Sequence, residues 1–259
     1  MRYLKIYRQC IRVSVGRALT YRANFILSSV IMLISNILFP LVTVLIYRSD
    51  AGFSGWSFWE VLLIQSTFTM AMGIANCMFF GILWATMQNI VDGTFEIILI
   101  KPVNPMFYML ASTFEIDSFG LFLGGLVLFV LAVCKVGTMT LAGWCMFALF
   151  FIAGIFVLLG VALLMAAVSF KWVGNSRIPE IFTSITDIGK YPQSIFPKSV
   201  VLFTSYIMPV GMIGFFPASA LLNRMHYGMV FAVIPCVLFA ILGILIYIRM
   251  IRLYEGAGS

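Results

Sequence analysis

The stretch VGTMTLAGWCMFALFFIAGIFVLLGVALLMAAVSF, residues 136–170, contains 35 residues and no charged side chain. A helix needs roughly 20 apolar residues to cross the hydrocarbon core of a bilayer, which is about 30 Å thick. This stretch is therefore long enough to cross a membrane and to extend beyond it. Four further uncharged windows also exceed the roughly 20 residues that a crossing needs. They lie at residues 23–47, 61–91, 199–223 and 225–248.

A sixth window, residues 118–134, is shorter than the others. It contains 17 residues and reaches crossing length if its helix begins beside Glu115 and Asp117. The sequence therefore predicts an all-α, polytopic membrane protein with six transmembrane helices.

The composition of the chain excludes a soluble globular domain. Of the 259 residues, 63% are hydrophobic and 10% are charged. Soluble domains are about 45 to 50% apolar and about 25% charged, so this chain has too few charges to cover a water-facing surface. We expect a single transmembrane domain over residues 25–259, preceded by a short N-terminal helix.

The distribution of basic residues predicts the orientation, because lysine and arginine in short loops stay on the cytoplasmic side. Six basic residues and no acidic residue precede the first window. The loop after that window carries only Arg48, against Asp50 and Glu60. The N-terminus is therefore predicted to be cytoplasmic. Six crossings bring the C-terminal Arg249 and Arg252 to the same side.

Residues 1–24 are predicted to form an amphipathic interface helix on the inner leaflet. On a helix of 100° per residue, four basic side chains fall within about one third of the circumference, and apolar side chains lie opposite. The basic set is Arg2, Lys5, Arg8 and Arg12, and the opposite set is Leu4, Tyr7, Ile11 and Ala18. Two interpretations stay open, a topology signal alone or a surface that contacts a cytoplasmic partner.

Groups of catalytic residues are almost absent. His226 is the only histidine, so the paired ligands of an HExxH zinc site are missing, and the five cysteines form no CxxC pair. A phosphate-binding loop is also missing, because Tyr191 follows Gly189 and Lys190 where Ser or Thr is required, and Ser184 stands where the first Gly is required. We predict no catalytic residue, no metal site and no ATP hydrolysis by this chain alone.

The segment DGTFEIILIKPVNP, residues 92–105, lies between the second and third windows on the predicted cytoplasmic side. Gly93 and two prolines bracket a short apolar stretch. This arrangement suits a short helix parallel to the membrane that exposes Phe95 and Ile98. Two interpretations stay open, an interfacial loop that rests on lipid or a surface that meets a partner.

A second polar segment, residues 171–197, separates the fourth window from the fifth. Taken as a helix, its polar side chains recur every three or four residues and share one face. A cytoplasmic amphipathic helix would show this pattern, with residues 199–223 as the fifth crossing. A crossing helix with its polar face hidden from lipid would show it too, and residues 199–223, broken by Pro209 and Pro217, would then form a hairpin. The periodicity does not choose between them.

Three segments resemble the permease subunits of ATP-binding-cassette exporters of the second class. They are GTFEIILIKPVNPMFY at residues 93–108, KYPQSIFP at 190–197 and IMPVGMIGFFPASALL at 207–222. The resemblance covers nearly the whole chain and is to the short six-span subgroup that lacks an ATPase domain of its own. It implies an N-terminal interface helix, a coupling helix between spans two and three, and a re-entrant helical hairpin before the last span.

The resemblance also implies roles for two sets of residues. The coupling segment, residues 89–105, would dock on an ATPase through Asp92, Gly93, Thr94, Phe95, Glu96, Lys101 and Pro102. The translocation path or the dimer interface would contain Arg177, Glu180, Ser184, Asp187 and Tyr191. The polar helix then becomes the fifth crossing, and the expected spans are residues 25–47, 61–88, 112–134, 139–170, 173–191 and 226–248, with the hairpin at about 199–223.

The partners follow from the same resemblance. Two permeases, of the same or a related chain, would pair in the bacterial cytoplasmic membrane with both termini in the cytoplasm. Two copies of a cytoplasmic ATPase would bind ATP and Mg²⁺. This chain itself would bind neither a cofactor nor nucleic acid. The substrate would be a drug, lipid, peptide or other amphiphile. The alternative, an ATPase-independent secondary transporter, should show matching broken helices in both halves, and the broken segment after Tyr191 has no counterpart in the first half.

Overall fold

The computed structural model describes residues 2–49, 52–172 and 177–254. Within these ranges every regular element is helical and no strand occurs. Four of the described helices are long and apolar enough to cross a bilayer: Phe58–Val91, Ile116–Val136, Leu141–Ser169 and Gly228–Arg252. The described helices and the four crossing-length spans confirm the prediction of an all-α, multi-pass membrane protein. The count of six crossings stays a prediction.

The first two helices meet at a bend. Helix α1 spans Arg2–Thr20 and helix α2 spans Arg22–Arg48, with Tyr21 between them outside helical geometry. Helix α2 has 27 residues, which corresponds to a length of about 40 Å at a rise of about 1.5 Å per residue. Pro40 lies inside α2, where its missing N–H leaves one helical hydrogen bond unmade.

Helix α3, Phe58–Val91, changes its packing partner along its length. It begins at a capping box, in which the Ser57 N–H donates to the Glu60 carboxylate at 2.7 Å. A five-residue π-helical turn, Asn76–Phe80, interrupts it. The part before this turn packs most extensively against α6, Ile116–Val136, and the part after it packs against α7, Leu141–Ser169.

Two short helices, α4 at Phe95–Leu99 and α5 at Pro105–Ser112, connect α3 to α6. Helix α6 opens with a 3-10 turn at Ile116–Ser118. Its backbone approaches that of α3 closely, because Gly73 lies against the backbone of Phe122 and Gly125 against that of Met70. Small residues permit such contacts in lipid, where helices are held together by packing rather than by the hydrophobic effect.

Helix α7 lies at the centre of the core. It packs against α12, Val233–Arg252, where Gly160 and Gly243 bring the two backbones together. It also packs against α10, Phe215–Leu221, all of whose residues are buried. The five-residue helix α11, Tyr227–Phe231, leads into α12.

The polar segment forms helix α8, Arg177–Asp187, which continues as a 3-10 turn at Ile188–Lys190. These 14 residues span about 22 Å, less than the thickness of the hydrocarbon core. The predicted fifth span also includes residues 173–176, which lie outside the described residues.

The stretch predicted as a hairpin contains two short helices and no crossing-length helix. Helix α9 comprises Lys198–Leu202 and a π-helical turn at Phe203–Ile207, and α10 begins at Phe215. The break at Pro209 is found as expected, since only a 3-10 turn at Val210–Met212 separates the two helices. The second expected break is wrong, because Pro217 lies in the first turn of α10, where a helix tolerates proline.

The helices run between two ends of the molecule. The α4 end contains α1, α4 and α5, and Tyr254 after α12 lies there too, with its ring 5.2 Å from that of Phe95. The Trp56 end contains the loop of residues 52–57 and the loop after α10, joined by a contact between Arg224 and Glu60. Both ends of the described chain therefore lie at the α4 end.

Candidate functional site

The first candidate site is the coupling segment at the α4 end, and it begins with a tight turn. Gly93 has a φ of +65°, a backbone conformation that glycine adopts without strain. Asp92 accepts hydrogen bonds from the Gln88 amide at 2.9 Å, and the Thr94 hydroxyl donates to the side-chain oxygen of Asn89 at 2.9 Å. These bonds fix the direction in which α4 leaves α3.

The expected exposure of Phe95 and Ile98 is wrong. Phe95 is 0% exposed and Ile98 is 6% exposed, while Ile97 is 55% and Ile100 is 81% exposed. Residues three apart share a face of a helix, and α4 presents the face of Phe95 and Ile98 to the protein. The apolar side chains that a partner could contact are therefore Ile97 and Ile100.

Phe95 belongs to a group of four rings, which we name the aromatic cluster: Phe95, Phe170, Tyr247 and Tyr254. The Phe95 ring centroid lies 5.0 Å from that of Phe170, and Phe170 lies 5.7 Å from Tyr247. All these contacts are edge-to-face, a favourable geometry for aromatic pairs. The Tyr247 hydroxyl is hydrogen-bonded to that of Thr86 at 2.9 Å. The cluster thus connects α4 to α3, to α12 and to Phe170, the residue after α7.

The outer surface of the coupling segment combines charge with apolar area. Asp92, Glu96 and Pro102 are exposed beside Ile97 and Ile100. The Lys101 ammonium lies 3.7 Å from the centroid of the Tyr108 ring, a cation–π contact. A cavity of about 230 Å³ opens next to this contact, and its lining includes Asn89, Thr94, Ile97, Lys101 and Tyr108. Such a surface can bind a protein partner through apolar, ionic and shape contacts together.

Helix α1 is fixed to the same end of the molecule. The Tyr3 ring lies 4.9 Å from that of Phe107 in α5, and the Ser14 hydroxyl donates to the Phe114 carbonyl at 2.9 Å. The basic residues predicted on one face are exposed: Arg2, Lys5, Arg8 and Arg12. The predicted apolar face divides, since Ala18 is buried and Leu4 is 75% exposed. Partial burial raises the pKa of Tyr7.

The second candidate site is the polar face of α8. Arg177, Glu180 and Ser184 are exposed on it, and the Ser184 hydroxyl donates to the Glu180 carbonyl at 2.8 Å. Asp187 forms an ion pair with Lys190 of the same chain at 2.7 Å. The structure therefore brings the first three residues to one exposed surface and neutralises Asp187 locally.

Tyr191 lies apart from that exposed surface, at the Trp56 end. Its ring is 6.1 Å from that of Phe53 and 6.4 Å from that of Phe196. The ammonium of the preceding Lys190 lies 5.2 Å from the centroid of the Phe68 ring in α3. The polar helix thus ends in contact with the loop before α3 and with α3 itself.

A third group of residues, the Trp56 cluster, was not predicted: Trp56, Glu60, Ser194 and Arg224. The Arg224 guanidinium pairs with Glu60 at 2.7 Å and lies 4.5 Å from the centroid of the Trp56 ring. The Trp56 indole N–H donates to the Ser194 hydroxyl at 2.9 Å. Three distant parts of the chain meet here, and no sequence spacing indicates this contact.

Metal-binding chemistry finds no support at these sites. In the part of the chain that the structure describes, no group of three or more His, Cys, Asp or Glu side chains could hold a metal ion.

The model of the family described as "ABC-2 family transporter protein" matches residues 19–258. This range includes the coupling segment, the polar helix and the Trp56 cluster. No curated protein and no solved structure matches the chain significantly.

Proposed function

This chain belongs to the ABC-2 transporter family and is a membrane permease component of an ABC-type transporter, and we propose that it works in export, as one of two paired permeases driven by a separate cytoplasmic ATPase. The ATPase binds and hydrolyses ATP with Mg²⁺, and this chain forms the substrate path. The substrate is a drug, lipid, peptide or other amphiphile. The complex lies in the bacterial cytoplasmic membrane, with both termini of this chain in the cytoplasm.

The aromatic cluster is the observation that carries the proposal. The exposed side of α4 is available to an ATPase, and its buried side is packed against the ends of α7 and α12 through Phe95. A partner that binds α4 differently in its two nucleotide states can shift the equilibrium between two arrangements of the helices. Phe95 would pass that shift from the docking surface to the transmembrane helices.

Contacts at the two ends of the molecule support six crossings. Phe170 lies at the α4 end beside Phe95, and Tyr191 lies at the Trp56 end beside Phe53. The chain between Phe170 and Tyr191 therefore passes from one end to the other, as a fifth crossing would. With α2, α3, α6, α7 and α12, this makes six. Helices α9 and α10 stay at the Trp56 end, as a re-entrant hairpin would, because Lys198 and Phe215 share a cavity with Trp56.

The exposed polar face of α8 supports pairing of two permeases. A charged side chain that faces lipid at mid-membrane costs roughly 2.5 to 3.5 kcal/mol. Glu180 and Ser184 are exposed in the single chain. A second permease, with a water-filled path between the two, would shield this face from lipid.

Photo-crosslinking tests the proposal. A photoreactive phenylalanine analogue is placed at Ile97, on the exposed side of α4, and in a separate variant at Ile195, an exposed isoleucine at the Trp56 end. After irradiation of native membranes, the purified products are identified by mass spectrometry and assayed for ATPase activity. We expect an ATP-binding subunit to be crosslinked to position 97 and not to position 195.

Two results would contradict the proposal. An ATP-binding subunit crosslinked at position 195 and not at 97 would reverse the assignment of the docking surface. A chain that yields no ATP-binding subunit from either position, and none in a mild-detergent pull-down, would favour an ATPase-independent transporter.

A further inference from the structure

A cavity of about 540 Å³ opens at the Trp56 end of the molecule. Its walls come from the loop before α3, the turn after α8, both short helices α9 and α10, and the loop that follows α10. The lining residues that matter here are Trp56, Gln193, Lys198, Phe215, Ser219 and Arg224. The cavity lies at the opposite end of α3 from the coupling segment, so it is separate from the ATPase docking surface.

The charged side chains that line the cavity are basic. Lys198 and Arg224 both line the cavity, together with His226, and none of the residues that line it is an aspartate or a glutamate. The charge of Arg224 is already paired with Glu60 at 2.7 Å. Lys198 is exposed and has no carboxylate within ion-pair distance among the described residues. A negatively charged group in the cavity would therefore find an uncompensated cation in Lys198.

Ser219 provides a second, independent indication of a polar ligand. It is 0% exposed, it lines the cavity, and its hydroxyl has no hydrogen-bond partner among the described residues. Buried hydroxyl groups are hydrogen-bonded in most proteins, because an unpaired one loses its bonds to water without replacement. An oxygen atom of a ligand would satisfy this group.

The rest of the lining is apolar and aromatic. The rings of Trp56 and Phe215 meet edge to face with centroids 5.7 Å apart, and Met229 and Phe196 also line the cavity. Ligand sites usually combine an apolar wall with a few polar groups that orient the ligand. This cavity would therefore suit a molecule with one anionic end and one hydrophobic end.

We propose that this cavity binds the acidic head group of an amphiphile, a phosphate or a carboxylate, with its hydrophobic part against Trp56 and Phe215. Lys198 supplies the cation that pairs with the head group, and Ser219 donates a hydrogen bond to it. The ligand is either the transported molecule or a lipid of the surrounding bilayer. Only the first of these sources rests on the proposed function.

Binding of soluble short-chain probes to the purified chain in nanodiscs of zwitterionic lipid tests the proposal. The probes are hexyl phosphate, hexyltrimethylammonium and inorganic phosphate, and the signal is the part of the tryptophan fluorescence that a Trp56→Phe variant lacks. We expect saturable binding of hexyl phosphate, with the other two probes at least about tenfold weaker, because only hexyl phosphate satisfies both the cation and the apolar wall. Equal binding of the two hexyl probes would overturn the proposal.

Two variants and a control assign the binding to named residues. Lys198→Gln and Ser219→Ala should each weaken hexyl phosphate binding about tenfold, since each removes a group that contacts the head group. Lys135→Gln, at an exposed lysine in the last turn of α6, should bind as the wild type does. Ser219→Ala should unfold at the same temperature as the wild type or higher without ligand, because it removes an unpaired buried hydroxyl. Wild-type affinity in both Lys198→Gln and Ser219→Ala would overturn the proposal.

Two further measurements distinguish the sources of the ligand. If the ligand is a bilayer lipid, nanodiscs of phosphatidylglycerol should compete with hexyl phosphate, and native mass spectrometry should show phospholipid on the wild type that Lys198→Gln loses. If it is the transported molecule, phosphatidylglycerol should not compete, and hexyl phosphate should change the ATPase rate of the assembled complex. Binding of hexyl phosphate to a chain that yields no ATPase partner would contradict the proposed function and leave this site standing.

Discussion

At the scale of single residues, Gly93 forms the turn that determines the direction of α4. A Cβ added at Gly93 would meet no atom within 4 Å, so an alanine there would strain the backbone alone. Gly55, at the Trp56 end, has the same features, with a φ of +77° and open space around it. The two glycines thus form a matched pair, one inside the coupling segment and one far from it.

We expect Gly93→Ala and Gly55→Ala to destabilise the chain by a similar amount, about 1 to 2 kcal/mol for a non-glycine residue in a left-handed conformation. Thermal unfolding of the two variants measures this. Only Gly93→Ala should weaken association with the ATPase subunit, because only it turns α4 away from the partner. An equal loss of association in both variants would refute a specific role for Gly93.

Glu115, just before α6, should make stability depend on pH. Burial raises the pKa of its carboxyl, Asp117 adds to the shift, and Arg17 opposes it. A carboxyl with a raised pKa in the folded state favours folding below its ordinary pKa of about 4.3, and this contribution is lost as the pH rises through the raised pKa.

Replacement of Glu115 by Gln should therefore raise the thermal unfolding midpoint near neutral pH and leave it unchanged at about pH 3, where the carboxyl is protonated in both states. Thermal unfolding of both proteins in detergent across this range measures the difference. A gain of the same size at both pH values would show that ionisation of Glu115 is not its cause.

At the scale of elements, α4 joins a docking surface to the transmembrane helices through one buried ring. Phe95→Ala should cost about 3 to 5 kcal/mol, the usual range for a large aromatic side chain removed from a core. Ile97→Ala, two residues away on the exposed side, should leave the thermal unfolding midpoint unchanged and weaken association with the ATPase. The reverse pattern, a loss of stability with Ile97→Ala and none with Phe95→Ala, would mean that the two faces of α4 are exchanged.

The faces of α4 also show what sequence patterns can and cannot predict. The turn residues Gly93 and Pro102, on either side of the segment, correctly indicated a short helix, because such residues act through the local backbone. Which side of that helix is buried depends on Phe170 and Tyr254, which lie far along the chain. A five-residue helix is too short for its own periodicity to decide this.

The long apolar helices were predictable from length alone, and the predicted 139–170 corresponds closely to Leu141–Ser169. Arg224 and Glu60 were not, because each is a lone charge at the edge of an apolar window, and 164 residues separate them. A pairing of this kind follows from the three-dimensional packing of α3 and α10. No regular spacing of residues in the sequence indicates such a pair.

At the scale of the whole molecule, the arrangement of the two ends predicts which loops face the cytoplasm. Ser54, in the loop of the Trp56 end, and Ser112, at the α4 end, are both exposed. In a variant that lacks the five native cysteines, we expect Ser54→Cys to react in intact cells with a membrane-impermeant maleimide. Ser112→Cys should react only after the membrane is opened. Labelling of Ser112→Cys in intact cells would invert the orientation.

The π-helical turn at Asn76–Phe80 sets how the two ends of α3 are rotated relative to each other. It adds one residue to a turn, and one residue corresponds to about 100° of rotation in an α-helix. An unbroken α-helix with the same number of residues would keep all the apolar windows and every turn signal. It would nevertheless point the Gly81–Val91 half about a quarter-turn away from α7, and α4 with it. The rotation of the α4 end relative to the Trp56 end therefore depends on the hydrogen-bonding pattern of this single turn.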